Sequence, residues 1–415
     1  MCKDKVKHLL LLVGSNPLPN AVAGKLLVEP GGTIALIYSE NTTSVAESLQ
    51  RWLKEQGIEA KLAVKVEESN PLSIYQNIHR YLRDTIPENE SVGLNYTGGT
   101  KMMSVHAYRA LERWAKNRGR GAAPPQYSYL DAKTLQMVFD PPESFPSAKR
   151  IYVGGGEIIS FEALLKLHKR TIDIANREVL LPETAKTLAK YCSEFKEFGK
   201  CWNKWISEQV KKLKDKLQPY NNEYLDCAVK EINGESKEKV KEAIMKSLEK
   251  LKEELGLGKS DKEISLKQPA FKKNNFTTWL TGKWLEHYVL DVLNSLEIDL
   301  NLQERLQSIQ TSGKQFELDV AAMRGYQLFG FSCKTISERE KAKLALFEAS
   351  IRAKQLGGDE ARAALVCYFE DPQGLEVEMS QTMDLEGRIK VFGRKHLAEL
   401  REHIKEWINS QKGEE

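Results

Sequence analysis

The chain has 415 residues, with 62 Lys and Arg against 58 Asp and Glu and a formal net charge of +4. That length is too great for one ordinary core and predicts two or three domains. The near-balanced charge does not exclude nucleic acid, because a local basic surface decides that and not the total. A hydrophobic share of 41% is ordinary for a globular chain. No apolar run reaches the roughly 18 residues that span a bilayer, so no membrane partner is expected.

The first apolar run, in MCKDKVKHLLLLVGSNP, ends in Gly-Ser-Asn-Pro and reads as a buried strand rather than a signal peptide. The six cysteines (Cys2, Cys192, Cys201, Cys227, Cys333, Cys367) are scattered without a C-x-x-C pair, and the seven histidines show no H-x-x-x-H spacing. Neither a disulfide framework nor a zinc site is expected, and a cytoplasmic setting fits.

Apolar runs at 6–13, 33–38, 60–66 and 91–95 alternate with amphipathic stretches at 43–56, 72–84 and 100–117. This predicts an α/β, doubly wound, Rossmann-like domain over 1–150, closed by a hairpin of 126–131 and 134–139. Ligands of such sheets bind at the carboxyl ends of the strands. Three polar loops converge there: one through Ser15 and Asn16, one through Ser39, and the turn Thr97-Gly98-Gly99-Thr100.

That last turn lies in GLNYTGGTKMM. Adjacent glycines let a backbone approach an anion, the threonine hydroxyls donate or cap, and the helix start supplies free N–H groups beside Lys101. An ordinary threonine-capped turn has the same spacing, and neither Walker A nor G-x-G-x-x-G is present. NYTGGTKMM after a strand and opening a helix resembles the signature of CARF domains, the sensor modules of type III CRISPR ancillary proteins. The resemblance covers roughly 5–150. It implies a homodimer that binds a cyclic oligoadenylate, with Thr97, Gly98, Gly99, Thr100 and Lys101 on the ligand side. Some family members also cleave their ligand.

A Pro-rich stretch at 140–146 and the triple glycine 154–156 mark a boundary. From 157 to 265 the pattern is nearly all helix, with dense Lys and Glu, and predicts a helical linker or insertion over 151–270.

From 271 a second globular unit begins, read as α-β-β-α-β: a helix at 277–296, strands at 315–323 and 327–335, a helix at 338–356 and a strand at 363–369. Within a strand, residues two apart share a face, so Glu317 and Asp319 are expected on one side and Leu318 and Val320 on the other. Ser332 and Lys334 share a face of the next strand. A carboxylate opposite a lysine suits phosphodiester hydrolysis, with the carboxylate holding Mg²⁺ or Mn²⁺ and the lysine countering phosphoryl charge. An amphipathic hairpin with a surface ion pair has the same pattern. Glu286 stands in WLTGKWLEHYVLDVL beside an apolar stripe, where a carboxylate needs a cation or hydrogen bonds; Lys283 and His287 are the local candidates.

The G-K-W-L-E helix, the E-L-D-V strand and the S-C-K-T strand resemble the PD-(D/E)xK nuclease fold, in particular the module fused to CARF sensors. The resemblance, over about 275–370, implies Glu286 as the helix acid, Asp319 as principal metal ligand and Lys334 as catalytic lysine. Ser332 departs from the pattern, which expects an acid there. Glu317 and the Cys333 carbonyl are the candidates to compensate, and the Cys333 thiol itself reads as a packed strand residue. Trp279 and Trp284 read as core, and Lys341, Lys343, Arg352 and Lys354 as a solvated face.

The implied protein is a homodimeric nuclease activated by cyclic oligoadenylate, cyclic tetra-adenylate by family resemblance. Its substrate would be single-stranded DNA, single-stranded RNA or duplex DNA. A nucleic-acid-binding regulator with a degenerate site and a ring nuclease are the alternatives.

Overall fold

A computed structural model describes residues 4–119, 122–141, 148–156, 158–258, 260–271, 275–311, 316–383, 385 and 387–410. Most of the Pro-rich stretch and the first residue of the expected strand at 315–323 lie outside the described residues.

Seven strands form the first sheet: β1 (Val6–Leu12), β2 (Val28–Tyr38), β3 (Glu59–Lys65), β4 (Val92–Asn95), β5 (Gln126–Asp131), β6 (Gln136–Phe139) and β7 (Lys149–Tyr152). Their order is β3-β2-β1-β4-β5-β6-β7. The first five run parallel, and β6 and β7 fold back antiparallel. The order turns back between β1 and β4, so the loops after those two strands frame a crevice at their carboxyl ends.

The unbroken apolar run of β1 follows from burial on both faces. Leu9 and Leu11 pack with the helices Leu18–Leu27 and Thr43–Glu55, while Leu10 and Leu12 pack with Pro71–Thr85 and Lys101–Lys116. The helix Leu18–Leu27 was not expected. Its residues from Leu18 to Gly24 are all buried, and a helix buried all round shows no polar–apolar period.

The middle of the chain is helical at Phe161–Leu167, Pro182–Glu194, Phe198–Leu213, Asn222–Ala228 and Glu235–Glu254. It is not all helix: β8 (Ile172–Asn176) is the edge strand of the second sheet, and β9 (Lys216–Leu217) pairs with β10 (Ile264–Ser265).

The second sheet has the order β15-β14-β13-β12-β11-β8, built from β11 (Glu304–Thr311), β12 (Phe316–Arg324), β13 (Gln327–Lys334), β14 (Arg362–Cys367) and β15 (Ile389–Phe392). β11 precedes the expected hairpin, so the unit begins with three antiparallel strands rather than two. Polar and apolar residues alternate loosely in ERLQSIQT, and the strand lacks the β-branched density that would have marked it. The expected alternation in β12 also fails. Val320 lies in the core beneath the helix Trp284–Ser295, but Leu318 lies in the opposite core with Ala353 of the helix Arg339–Gly357. β12 keeps its pairing with β11 through Phe316, whereas its described pairing with β13 stops at Val320↔Phe331. The two strands part at Asp319.

The last helix, Leu400–Asn409, seals the second core through Trp407, whose ring meets Phe329, Phe331 and Phe392 edge-on at 5.7–5.9 Å. No described helix is long and apolar enough to cross a membrane. Trp407→Ala leaves a cavity under three rings and should lower the unfolding free energy by about 3–5 kcal/mol. Urea unfolding reads this, and a loss below about 1 kcal/mol would show that the helix adds little to the core.

Candidate functional site

In the first unit, the loops after β1 and β4 meet backbone to backbone. A Cβ on Gly98 would lie 2.2 Å from the Leu12 carbonyl oxygen, and one on Gly14 would lie 3.0 Å from Gly99 N. Only glycine allows this approach, and Gly99 also holds φ at +73°. The buried Asn20 braces the crossing by donating from Nδ2 to the Leu12 carbonyl at 3.0 Å. Sequence reasoning missed Asn20; an uncharged polar side chain among apolar neighbours in LPNAVAGKLL was the available signal.

Thr100 caps the helix Lys101–Lys116, its Oγ1 accepting from Met103 N at 3.2 Å. Lys101 and Ser15 are exposed at the rim. Thr97 is committed to the fold, since its Oγ1 accepts from Leu130 N at 2.7 Å. Ser39 is buried and donates to Glu68 Oε2 at 2.6 Å, while Asn41 donates to Glu68 Oε1 at 2.8 Å. These two donors hold the Glu68 carboxyl below its ordinary range. Ser39 therefore serves a carboxylate at the crevice, which the loop position alone did not reveal.

In the second unit, Asp319 stands where β12 and β13 separate. Its Oδ2 accepts from Cys333 N at 2.8 Å, from Ser332 Oγ at 3.2 Å and from Lys334 Nζ at 2.9 Å. The carboxylate is only 6% exposed and the lysine 42%. Burial works against the lysine's charge, but the Asp319 carboxylate outweighs it and the Lys334 pKa is raised, so the ammonium persists at neutral pH. Glu286, 9% exposed, lies within electrostatic reach of both Lys334 and Cys333. The helix acid, the strand acid and the lysine are thus brought together. Burial, with Asp319 and Glu286 nearby, pushes the Cys333 thiol well above its usual range, which keeps it protonated.

Glu317 is not gathered into this group. It is exposed, and its carbonyl accepts from Arg352 Nη1 at 2.9 Å. Among the described residues no three His, Cys, Asp or Glu side chains converge tightly enough to hold a metal. The oxygen donors at hand are Asp319, Glu286, the Ser332 hydroxyl and the Cys333 carbonyl. In an extended strand the N–H and C=O of one residue point to the same side, so the carbonyl faces the gap that the Cys333 N–H spans. Hard, oxygen-only donors around a buried carboxylate fit Mg²⁺ or Mn²⁺ and not a softer ion.

Neighbouring residues take ordinary places. Trp279 and Trp284 are core. His287 is buried and accepts from Leu180 N at 3.0 Å, and burial pulls its pKa down to about 4. Lys341, Lys343, Arg352 and Lys354 pair with Glu338, Glu378, Glu348 and Asp359, which neutralises the helix they stand on.

The family model of the Card1 CARF domain matches residues 9–118, and that of the Card1-like endonuclease domain matches residues 273–411. The chain is a CARF-domain endonuclease of the Card1 type. Its fold is similar to that of protein VC1899 from Vibrio cholerae, at 17% identity and a TM-score of 0.73, with 98% of this chain covering 99% of that one. It is also similar to Can2 from Sulfobacillus thermosulfidooxidans, solved with cyclic tetra-adenylate, at 14% identity and a TM-score of 0.67, with 97% of this chain covering 99% of that one. None of the curated proteins compared matches the chain.

The loop after β1 touches the endonuclease domain. The Asn16 side chain packs on Gly358, just before β14: a Cβ there would lie 1.9 Å from Asn16 Nδ2 and 2.9 Å from Glu360 Oε2. At the tip of the β12–β13 hairpin, a Cβ on Gly325 would lie 2.6 Å from the Gly154 carbonyl. The helix Phe161–Leu167 joins both domains in one continuous apolar core.

Glu360, at this junction, is 2% exposed, and burial raises its carboxyl to about 7 despite Arg362 and Arg388 nearby. The ordinary value is 4.5, so between 4.5 and 7 the folded chain holds a proton that the unfolded chain has released. Glu360 therefore subtracts stability as pH rises through that window, and the full loss is present above it. Glu360→Gln should leave stability unchanged near pH 4.5 and raise it by about 3 kcal/mol at pH 8. Urea unfolding across pH tests this; parallel profiles for the two proteins would refute it.

Proposed function

We propose that this CARF-domain endonuclease acts in type III CRISPR antiviral defence, cutting DNA or RNA phosphodiester bonds with Mg²⁺ or Mn²⁺ when cyclic oligoadenylate occupies the CARF crevice. The observation that carries the reading is the meeting of Asp319, Lys334 and Glu286 at the opening between β12 and β13. Asp319, Glu286 and the Cys333 carbonyl would hold a divalent ion, which would polarise the phosphate and acidify water when bound. Lys334, kept charged, donates to the phosphoryl oxygens as negative charge builds there. Buried Asp319 fixes that ammonium and orients the β13 backbone through Cys333 N.

The ligand is cyclic tetra-adenylate, whose phosphates suit the N–H groups of Gly98 and Gly99 with Thr100, Lys101 and Ser15 at the rim. A homodimer in the cytoplasm, with two crevices facing one ring, matches the symmetry of such a ligand. Ligand binding favours the cutting arrangement to the extent that it binds that arrangement more tightly. The Asn16–Gly358 contact and the hairpin tip at Gly154 are the physical link, since the same hairpin carries Asp319, Ser332 and Lys334.

A second reading has one observation in its favour. Neutral Ser332 leaves the site short of an acid, as expected of a regulator that binds nucleic acid without cutting it. Incubating the protein with Mn²⁺, cyclic tetra-adenylate and labelled single-stranded and duplex substrates decides between them. Cleavage that vanishes in Lys334→Ala and Asp319→Asn supports the nuclease. No cleavage of any substrate supports the regulator, and loss of the ligand with substrates intact identifies a ring nuclease.

Lys101→Ala should weaken cyclic tetra-adenylate binding about tenfold, with a shallower salt dependence. Calorimetric titration at two ionic strengths checks this, and an unchanged affinity would remove Lys101 from the crevice.

A further inference from the structure

Two groups of residues take no part in the chemistry above: the helical segment between the domains and the irregular start of the catalytic helix. The helix that bears Glu286 is preceded by a π-turn at Trp279–Lys283. Trp284 N–H donates to the Trp279 carbonyl five residues back, where an α-helix would send it to Leu280. The Leu280 carbonyl accepts instead from the buried indole of Trp202, Nε1 to O 2.8 Å, on the helix Phe198–Leu213. The next carbonyl, Thr281, accepts from Thr335 Oγ1 at 3.4 Å, and Thr335 directly follows Lys334.

A π-turn shifts everything after it by one residue, which is about 100° of helix rotation. The phase of this turn therefore decides whether Glu286 faces the lysine or the core. We infer that Trp202 and Thr335 are positioning residues: their side-chain donors hold two successive carbonyls of the π-turn and so fix the placement of the Glu286 carboxylate near Lys334. The helical segment is then a brace for the active site, bearing on the catalytic helix through Trp202. Thr335 ties that helix to the strand end that carries the lysine.

This inference rests on the nuclease reading, so its test carries two readouts. Full-length protein with cyclic tetra-adenylate and Mn²⁺ is assayed for kcat and KM, and Mn²⁺ binding without nucleic acid is followed by electron paramagnetic resonance. Trp202→Phe removes the N–H and keeps a ring; Thr335→Val removes the hydroxyl and keeps the shape. Each should lower kcat about tenfold to a hundredfold at unchanged KM and weaken Mn²⁺ binding about tenfold. Thr335→Ser should restore both values. Should Trp202→Phe fail to fold, the Val and Ser pair at Thr335 carries the test alone.

An unmodified protein that cleaves, beside variants with its own kcat and Mn²⁺ affinity, overturns the inference and leaves the nuclease reading intact. The positioning role is equally overturned if Val and Ser at Thr335 lower activity to the same extent. Unmodified protein that binds Mn²⁺ but cuts nothing overturns the nuclease reading, while weaker Mn²⁺ binding in the variants still supports the positioning role. A protein that neither cuts nor binds Mn²⁺ sinks both.

Discussion

Asp319 is a nearly buried carboxylate that takes a backbone N–H, a hydroxyl and an ammonium on one oxygen at the point where β12 and β13 stop pairing. A carboxylate in that position would be costly without such partners. Its demand for them closes the gap that the departing strand opens. The strands on either side remain anchored, β12 to β11 and β13 to β14, so the gap is a feature of a rigid sheet and not of a loose edge. Sites built on strands in this way hold their geometry better than sites built on loops.

That rigidity gives the hairpin a second role. One end holds the acid and the lysine, and the other end, at Gly325, is pressed against Gly154, just after β7. Close approach of two glycines leaves no side chain to absorb a displacement. The Asn16 side chain, in the loop after β1, packs on Gly358 just before the adjoining strand β14. The continuous apolar core through Phe161–Leu167 makes the two domains mechanically one body at this joint, in the sense that packed interiors transmit strain. Glu360, whose carboxyl burial raises to about 7, adds a titratable element to the joint.

The helical segment behaves differently from a linker. Its exposed faces carry ion pairs between Lys and Glu three or four residues apart, which contribute little each. Its inner face is a run of large buried rings, Phe198, Trp202 and Trp205, in the core it shares with the helix that bears Glu286. A sequence dense in Lys and Glu thus conceals a packing surface.

Local chemistry made much of the protein legible in the sequence. Both-face burial wrote continuous apolar runs into the central strands, and the Gly-Gly turn before a threonine-capped helix announced the close backbone crossing of the loops after β1 and β4. The spacing of Asp319, Ser332 and Lys334 followed from strand pairing. What the sequence could not decide depended on partners far along the chain. Glu317 shares a parity with Asp319 but not a site, because the alternation of β12 breaks where its pairing with β13 ends and Leu318 lies in the other core from Val320. Ser39 looked free and is spent on Glu68. The helix Leu18–Leu27 left no amphipathic trace, since its residues from Leu18 to Gly24 are buried on every side and Lys25 alone is exposed. The phase of the Glu286 helix hangs on a carbonyl that Trp202 reaches across 78 positions. Periodicity records which face of an element is buried; only the tertiary structure says against what, and the arrangement of Asp319, Glu286 and Lys334 is set by that second fact.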